Sequence, residues 1–303
     1  MQTKYRGRFA PSPSGPLHFG SLVAAVGSYL DARANAGAWL VRIDDLDPPR
    51  VVPGAADDIL STLEACGLEW DERIVYQSTR SDAYHAALHA LRQQGLVYAC
   101  ACSRREIADS AVSGIEGYVY PGTCRTGLPA ARAARAWRVK TVAAHSAFDD
   151  RVQGRIEHDI EREIGDFVLY RTDRVYAYQL AAALDDAEAG VTDVVRGADL
   201  LHSTPRQIYL QRLLGLPTPR YAHLPVAVNE RGEKLSKQTH APAVDAARVG
   251  PALVAALRFL GQAPTAELAQ ARAPAILEWA LANWSLARVP RMRDLPSPPP
   301  SPR

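Results

Sequence analysis

The run Arg8-Phe9-Ala10-Pro11-Ser12-Pro13-Ser14-Gly15-Pro16-Leu17-His18-Phe19-Gly20-Ser21 joins a short apolar stretch to a strongly helical one. Residues 5–10 predict a strand and residues 22–36 a helix, with a loop dense in Pro, Ser and Gly between them. A strand that feeds a helix through such a loop turns the unpaired N–H groups and the positive end of the helix toward any anion beyond the strand. Gly15 and Gly20 allow the backbone to come close to a ligand. Ser21 is placed to cap the helix, and Gly37 to end it. Residues 39–43 form a second apolar run. Strand, loop, helix and strand in that order predict an α/β fold with a doubly wound parallel sheet and ligands at the carboxyl ends of its strands. Local composition fits an ordinary strand-to-helix turn equally well. A distant second stretch, Lys234-Leu235-Ser236-Lys237-Gln238, is what makes the first a candidate site.

The rest of the chain continues the alternation. Residues 55–66 and 81–94 carry apolar residues at three- and four-residue spacing and predict amphipathic helices, stopped by Gly67 and Gly95. Residues 137–142, 166–171 and 191–195 predict strands, the last rich in β-branched residues. Residues 152–163 are mixed and predict a loop. Helices are expected at 179–187 and at 203–214, where Ser203 can cap and Pro205 sits in the first turn. A last strand is expected at 224–228, two apolar helices at 251–260 and 275–286, and disorder over the Pro- and Ser-rich residues 294–303. The formal charge of +2 is nearly balanced and does not announce nucleic-acid binding. No stretch reaches the ~20 apolar residues of a membrane span, and no leader is visible at the N-terminus. Four cysteines, three of them clustered, do not look like a secreted disulfide framework, so a cytoplasmic protein is expected.

Two further clusters carry chemistry. Asp44-Asp45-Leu46-Asp47-Pro48-Pro49-Arg50 follows the second strand, and its carboxylates suit a metal, a ribose or an ammonium group, or a solvated acidic loop. Cys100-Ala101-Cys102 and, after a Pro-Gly turn, Cys124 offer three thiolates to a tetrahedral metal but leave a fourth ligand unnamed, so free thiols remain the alternative. His85 and His89 have chelating spacing but no acidic partner and read as surface or packing residues; Cys66 reads as a small buried hydrophobe.

His18-Phe19-Gly20-Ser21 resembles the HIGH signature of class I aminoacyl-tRNA synthetases, and residues 234–238 their KMSKS loop, with Leu for Met and Gln for the last Ser. Residues 8–15, the acidic loop with Arg42 and Ile43 before it, and Val195-Arg196-Gly197-Ala198-Asp199-Leu200 resemble the glutamyl branch. Length and motif order, over roughly residues 5–290, resemble its truncated paralogues, the glutamyl-queuosine tRNA(Asp) synthetases.

The resemblance implies a Rossmann-type catalytic domain in two halves, 1–98 and 136–240, around a zinc-binding insertion at 99–135. A helical region, 241–292, and a tail, 293–303, follow. It implies activation of L-glutamate with ATP and Mg²⁺, and transfer to queuosine in the anticodon of tRNA(Asp), by a monomer. The 65 residues after Gln238 are too few for a separate anticodon domain of ~100 residues. His18 and Lys237 would be catalytic, with His18, Gly20, Ser21, Lys234, Ser236 and Lys237 around ATP. Arg8, Phe9, Ala10, Pro11, Ser12, Asp44, Tyr178 and Arg196 would line the glutamate pocket. The family has Glu at the position of Asp44, where it meets the substrate ammonium. Tyr120 would complete a structural zinc site with Cys100, Cys102 and Cys124. The competing readings are a compact glutamyl-tRNA synthetase charging an acceptor end, and a non-catalytic RNA- or glutamate-binding module.

Overall fold

The structure, a computed structural model, describes residues 4–115, 117–129, 131–235 and 242–298. The opening unit forms as the pattern predicts. Strand Arg6–Phe9 pairs in parallel with Ala38–Ile43, which pairs in parallel with the short strand Val75–Tyr76. Between the first two runs the helix Phe19–Ala34. A second parallel pair, Asp193–Gly197 with Arg220–Leu224, joins the first strand's edge, where Thr192 N–H donates to Arg6 O at 2.9 Å.

The first helix is apolar on nearly every side because it is covered on nearly every side. Leu22, Val26 and Leu30 are fully buried and share a core with Trp39, Leu224, Leu253, Leu257 and Ile276. Each such side chain contributes ~1.5–3 kcal/mol on leaving water, so the helices Val249–Phe259 and Ala273–Asn283 are held to the first helix by the same core. At Gly27 an added Cβ would stand 2.5 Å from Leu224 Cδ1, which sets the close approach of helix to strand. A second core, with Leu91, Leu169, Leu180 and Leu210, lies under the helices Ser81–Gln93, Tyr178–Glu188 and Thr204–Leu214.

Gly67 and Gly95 take left-handed conformations after their helices, as expected. The end of the first helix differs. Ala36 takes the left-handed position, with φ 51°, and Gly37 N–H closes the last turn onto Ala32 O at 2.9 Å. Glycine is needed at 37 because a Cβ there would meet Tyr5 O at 2.5 Å.

Other expectations are corrected. Residues 152–163 are not a loop: Gly154–Asp159 pairs antiparallel with His145–Asp150, and Asp159 caps a short helix, Ile160–Glu163. The strand is half-exposed, so its charged residues obscured the alternation. The strand expected at 224–228 is two strands, Arg220–Leu224 and Val226–Val228, interrupted at Pro225, which has no N–H to give a ladder. Ser203 makes no side-chain cap. Within the tail expected to be disordered, Asp294–Pro296 adds a parallel strand to Val226–Val228; residues 299–303 lie outside the described residues. Among the described residues no helix is long and apolar enough to cross a membrane.

Candidate active site and metal centre

A cleft of about 770 Å³ opens where the first and second parallel pairs end. Arg8, Phe9, Ala10, Pro11, Ser12, His18, Gly20, Ser21, Tyr178, Arg196 and Lys234 all line it. Ser236 and Lys237 lie outside the described residues. Asp44 is absent from the lining.

The two motif stretches meet across this cleft. The helix starts at Phe19, earlier than the apolar periodicity suggested, so the cap is His18 rather than Ser21. His18 Nδ1 accepts from Ser21 N–H at 3.3 Å, and Ser21 Oγ lies 3.1 Å from Nε2. Gly20 keeps the helix start open: a Cβ there would contact the His18 ring at 3.3 Å and Leu235 O at 3.7 Å. Beyond residues 236–241 the chain returns to the same loop, with Val244 N–H donating to Leu17 O at 2.8 Å. Lys234 reaches the Asp199 carboxylate.

Arg196, which lines the same cleft, is 5% exposed. Its Nε donates to His223 Nε2 at 3.1 Å, Nη1 to Tyr178 Oη at 3.3 Å, and Nη2 to Thr204 Oγ1 and Gln207 Oε1, both at 2.9 Å. None of these acceptors is a carboxylate. Burial and the Arg196 charge push the His223 pKa down to about 4 against the pull of Asp150, so His223 is neutral at pH 7. Among the described residues, then, Arg196 is a buried cation with no carboxylate in ion-pair range. Burying a charge without a counterion is costly, and a carboxylate arriving in the cleft would offset that cost.

At Arg8, on the cleft, begins an ion network the sequence reading did not anticipate. Arg8 Nε donates to Asp186 at 3.1 Å. Arg42 Nη1 donates to Asp186 at 2.6 Å, and its Nε to Asp44 at 2.6 Å. Asp185 lies 3.8 Å from Arg42 Nε and accepts from Arg80, Gln77 and Tyr84. Asp44 is therefore clasped by Arg42, while its N–H donates to Pro11 O at 2.9 Å. Its carboxyl is raised above the usual range because burial outweighs Arg42. Burial acts in the same direction on Asp186, but Arg8 and Arg42 together outweigh it and hold that carboxyl low. Charged residues inside apolar segments were the available signal: Arg42 within Ala38–Ile43, and Asp185 and Asp186 within Tyr178–Glu188.

Cys100, Cys102 and Cys124 converge, their Sγ atoms all within 4.8 Å of one another. Tyr120 Oη sits 3.4 Å from both Cys100 Sγ and Cys102 Sγ, and Cys102 Sγ is 3.7 Å from Cys124 Sγ. A tetrahedral ion with bonds of ~2.3 Å to sulfur and ~2.0 Å to oxygen requires edges of roughly 3.8 Å and 3.5 Å. Three of the donor separations match those edges, and the sulfurs lie within 4.8 Å of one another, close enough to converge on one small ion. Asp166 fixes the loop that carries them: it accepts from Arg125 at 2.6 and 2.7 Å, from Tyr98 Oη at 2.5 Å and from Thr141 N–H at 2.8 Å. Arg138 lies over the Tyr120 ring at 4.0 Å.

His85 and His89 stay outside any site, His85 beside Tyr176 and His89 beside Gln93. Cys66 is buried in the first core, as expected.

Parallel strands with a helix start and a buried guanidinium lining one cleft define an α/β fold with its candidate site at the strand ends. The chain belongs to the class I tRNA synthetases (E and Q), whose catalytic-domain model matches residues 4–266. Within that class it is 60% identical over 293 residues to the glutamyl-Q tRNA(Asp) synthetase of Dechloromonas aromatica, covering 96% of this chain and 97% of that one. It is 54% identical over 296 residues to the protein of the same name from Pseudomonas aeruginosa, covering 98% and 99%. A crystal structure of a glutamate tRNA ligase from Elizabethkingia meningosepticum in complex with its amino acid shares the fold, with a TM-score of 0.78 at 23% identity. The match covers 98% of this chain and 67% of that one.

Proposed function

We propose that the chain activates L-glutamate with ATP, without needing tRNA for that step, and transfers it to queuosine in the anticodon of tRNA(Asp). The observation that carries the reading is Arg196, a buried guanidinium that faces the cleft with only neutral partners. It suits the side-chain carboxylate of glutamate and not the neutral amide of glutamine. The names of the 60% and 54% identical relatives supply the acceptor.

In the first step an oxygen of the glutamate α-carboxylate attacks the α-phosphorus of ATP. The bond to the β-phosphate oxygen breaks and pyrophosphate leaves. Little covalent work falls to the protein; alignment and charge do most of it. His18, Gly20 and Ser21, at the start of the first helix, hold the nucleotide. Lys234 and Ser236 border its phosphates, and Lys237 places a positive charge on the leaving group. When bound with ATP, Mg²⁺ would offset charge on its phosphates. Arg8 to Ser12 and Tyr178 close around the amino acid. Asp44, which holds Arg42 with both oxygens, keeps lone pairs for the ammonium group of the amino acid. In the second step a hydroxyl of the queuosine ring attacks the acyl carbon and AMP departs.

The same reading makes the scaffold a doubly wound Rossmann-type domain. In the 99–135 insertion Cys100, Cys102, Cys124 and Tyr120 would hold zinc. When bound, zinc would supply the structural tie that so small a loop lacks in core, and would draw off the Tyr120 proton that burial and the neighbouring thiols retain. Protein purified without chelators should hold about one zinc per chain, and Cys100→Ser or Cys124→Ser should lose it. Elemental analysis is the check, and a metal-free wild-type protein would return the three residues to free thiols. For the activation step the test is pyrophosphate exchange. Exchange that depends on glutamate, ignores glutamine and proceeds with no RNA is expected; exchange only with RNA present would overturn tRNA-independent activation.

A further inference from the structure

Arg196 and His223 are register partners on neighbouring parallel strands, Asp193–Gly197 and Arg220–Leu224, so their side chains leave the sheet side by side. Behind His223, at the end of strand His145–Asp150, stands Asp150. Its Oδ2 is 2.6 Å from His223 Nδ1, and its Oδ1 accepts from the N–H groups of Val152 at 3.0 Å, Gln153 at 2.8 Å and His223 at 3.1 Å. The His223 and Asp150 side chains are both fully buried.

The chemistry of the three groups leaves one proton arrangement. Arginine has only donors, so the Nε–H of Arg196 requires an acceptor, which is the bare Nε2 of His223; the Thr204 hydroxyl, 3.1 Å from the same nitrogen, accepts from Arg196 Nη2 and has its own proton free to give to Nε2. A carboxylate that takes three backbone N–H groups is an acceptor on its remaining oxygen too, so His223 carries its single proton on Nδ1 and donates it to Asp150. Both demands are met by the neutral Nδ1–H tautomer alone. Adding a proton at Nε2 would face one donor with another.

We propose that Asp150 and His223 are positioning residues that fix the Arg196 guanidinium for the substrate carboxylate and thereby set the KM for glutamate. The inference rests on the reading that Arg196 receives that carboxylate. The charged and titratable groups facing His223 are Asp150, Arg196 and, farther off, Asp199, which Lys234 engages; the Tyr221 ring stacks on it at 6.1 Å. None competes with Asp150 for the Nδ1 proton. The low pKa of His223, about 4, agrees with a ring that stays neutral beside a guanidinium.

Three variants and one spectrum test this. In the wild-type protein, ¹⁵N spectra of the His223 ring should show a protonated Nδ1 and a bare Nε2. Asp150→Asn offers a donor to Nδ1 and should drive the proton to Nε2. His223→Leu keeps the bulk and removes the acceptor, whereas His223→Gln returns an acceptor oxygen close to the Nε2 position. In pyrophosphate exchange, Asp150→Asn and His223→Leu should each raise the KM for glutamate about tenfold, the worth of one hydrogen bond to a charged group. The KM for ATP should stay close to wild type, and His223→Gln should recover most of the loss. An Nε2-protonated ring in the wild type overturns the proposal, and so does an unchanged glutamate KM in folded Asp150→Asn. If His223→Leu does not fold, the spectrum and Asp150→Asn still decide. Arg196→Ala separates the two levels. An unchanged glutamate KM there defeats the underlying reading, while a raised KM there with no effect of Asp150→Asn defeats only the positioning role.

Discussion

Arg196→Ala should raise the KM for glutamate in pyrophosphate exchange by a hundredfold or more while leaving the KM for ATP close to wild type. A forked, charge-assisted contact with a carboxylate contributes about 3 kcal/mol at the upper end, and about 1.4 kcal/mol is a factor of ten. The guanidinium is already desolvated and held by neutral groups, four side chains and the Leu200 carbonyl, so little of its attraction would be lost to water or to reorganisation. Arg196→Lys should recover little, because an ammonium cannot keep His223, Thr204 and Gln207 engaged while reaching the ligand. A glutamate KM within the error of wild type would remove Arg196 from the pocket.

The second large effect is on stability. Arg42 joins Asp44 and Asp186 at 2.6 Å each and lies 3.8 Å from Asp185, and all four side chains are at most 6% exposed. Removing the cation leaves Asp44 buried with no cation partner and takes one of two arginines from Asp186, which keeps Arg8, while Asp185 keeps Arg80; the loss should be about 3 kcal/mol in urea unfolding. Burial already raises the Asp44 carboxyl against the pull of Arg42, and without Arg42 it rises further above its unfolded value, so the variant should recover part of its deficit as pH falls and Asp44 protonates. Arg42→Met with Asp44→Asn and Asp186→Asn, which removes charge from both sides, should lose less than Arg42→Ala alone. A loss below about 1 kcal/mol for Arg42→Ala would mean that water reaches these carboxylates and screens them.

Arg42 also shows where sequence reasoning stopped. Period and punctuation placed the first strand, the first helix and the second strand, because an apolar run closed by Gly or Pro has few other ways to bury itself. The candidate cleft was legible through the two motif stretches, although nothing in either says that Val244 returns to pair with Leu17 beside His18. What a linear pattern does not carry is partnership across the sheet. Arg42, Asp185 and Asp186 read as interruptions of apolar segments, and only the fold makes each the reason for the others. His223 sits on a strand whose start was missed because Pro225 divides it from the next. Asp44 is the converse: the motif placed it at the amino acid, and the structure gives its carboxylate to Arg42. Tyr120 was named through resemblance alone, and its hydroxyl now stands at 3.4 Å from two sulfurs, beside a strand end and a turn that bring residues 100, 120 and 124 together.

An enzyme of this kind delivers activated glutamate to an anticodon base and not to the acceptor end. Purified tRNA(Asp), with and without queuosine, charged with labelled glutamate and ATP and then digested, locates the label by fragment. Label is expected only in the queuosine-containing RNA, on the anticodon fragment, retained after the 3′-terminal adenosine is removed. Label that enters both RNAs and leaves with the 3′-terminal adenosine would overturn the anticodon assignment.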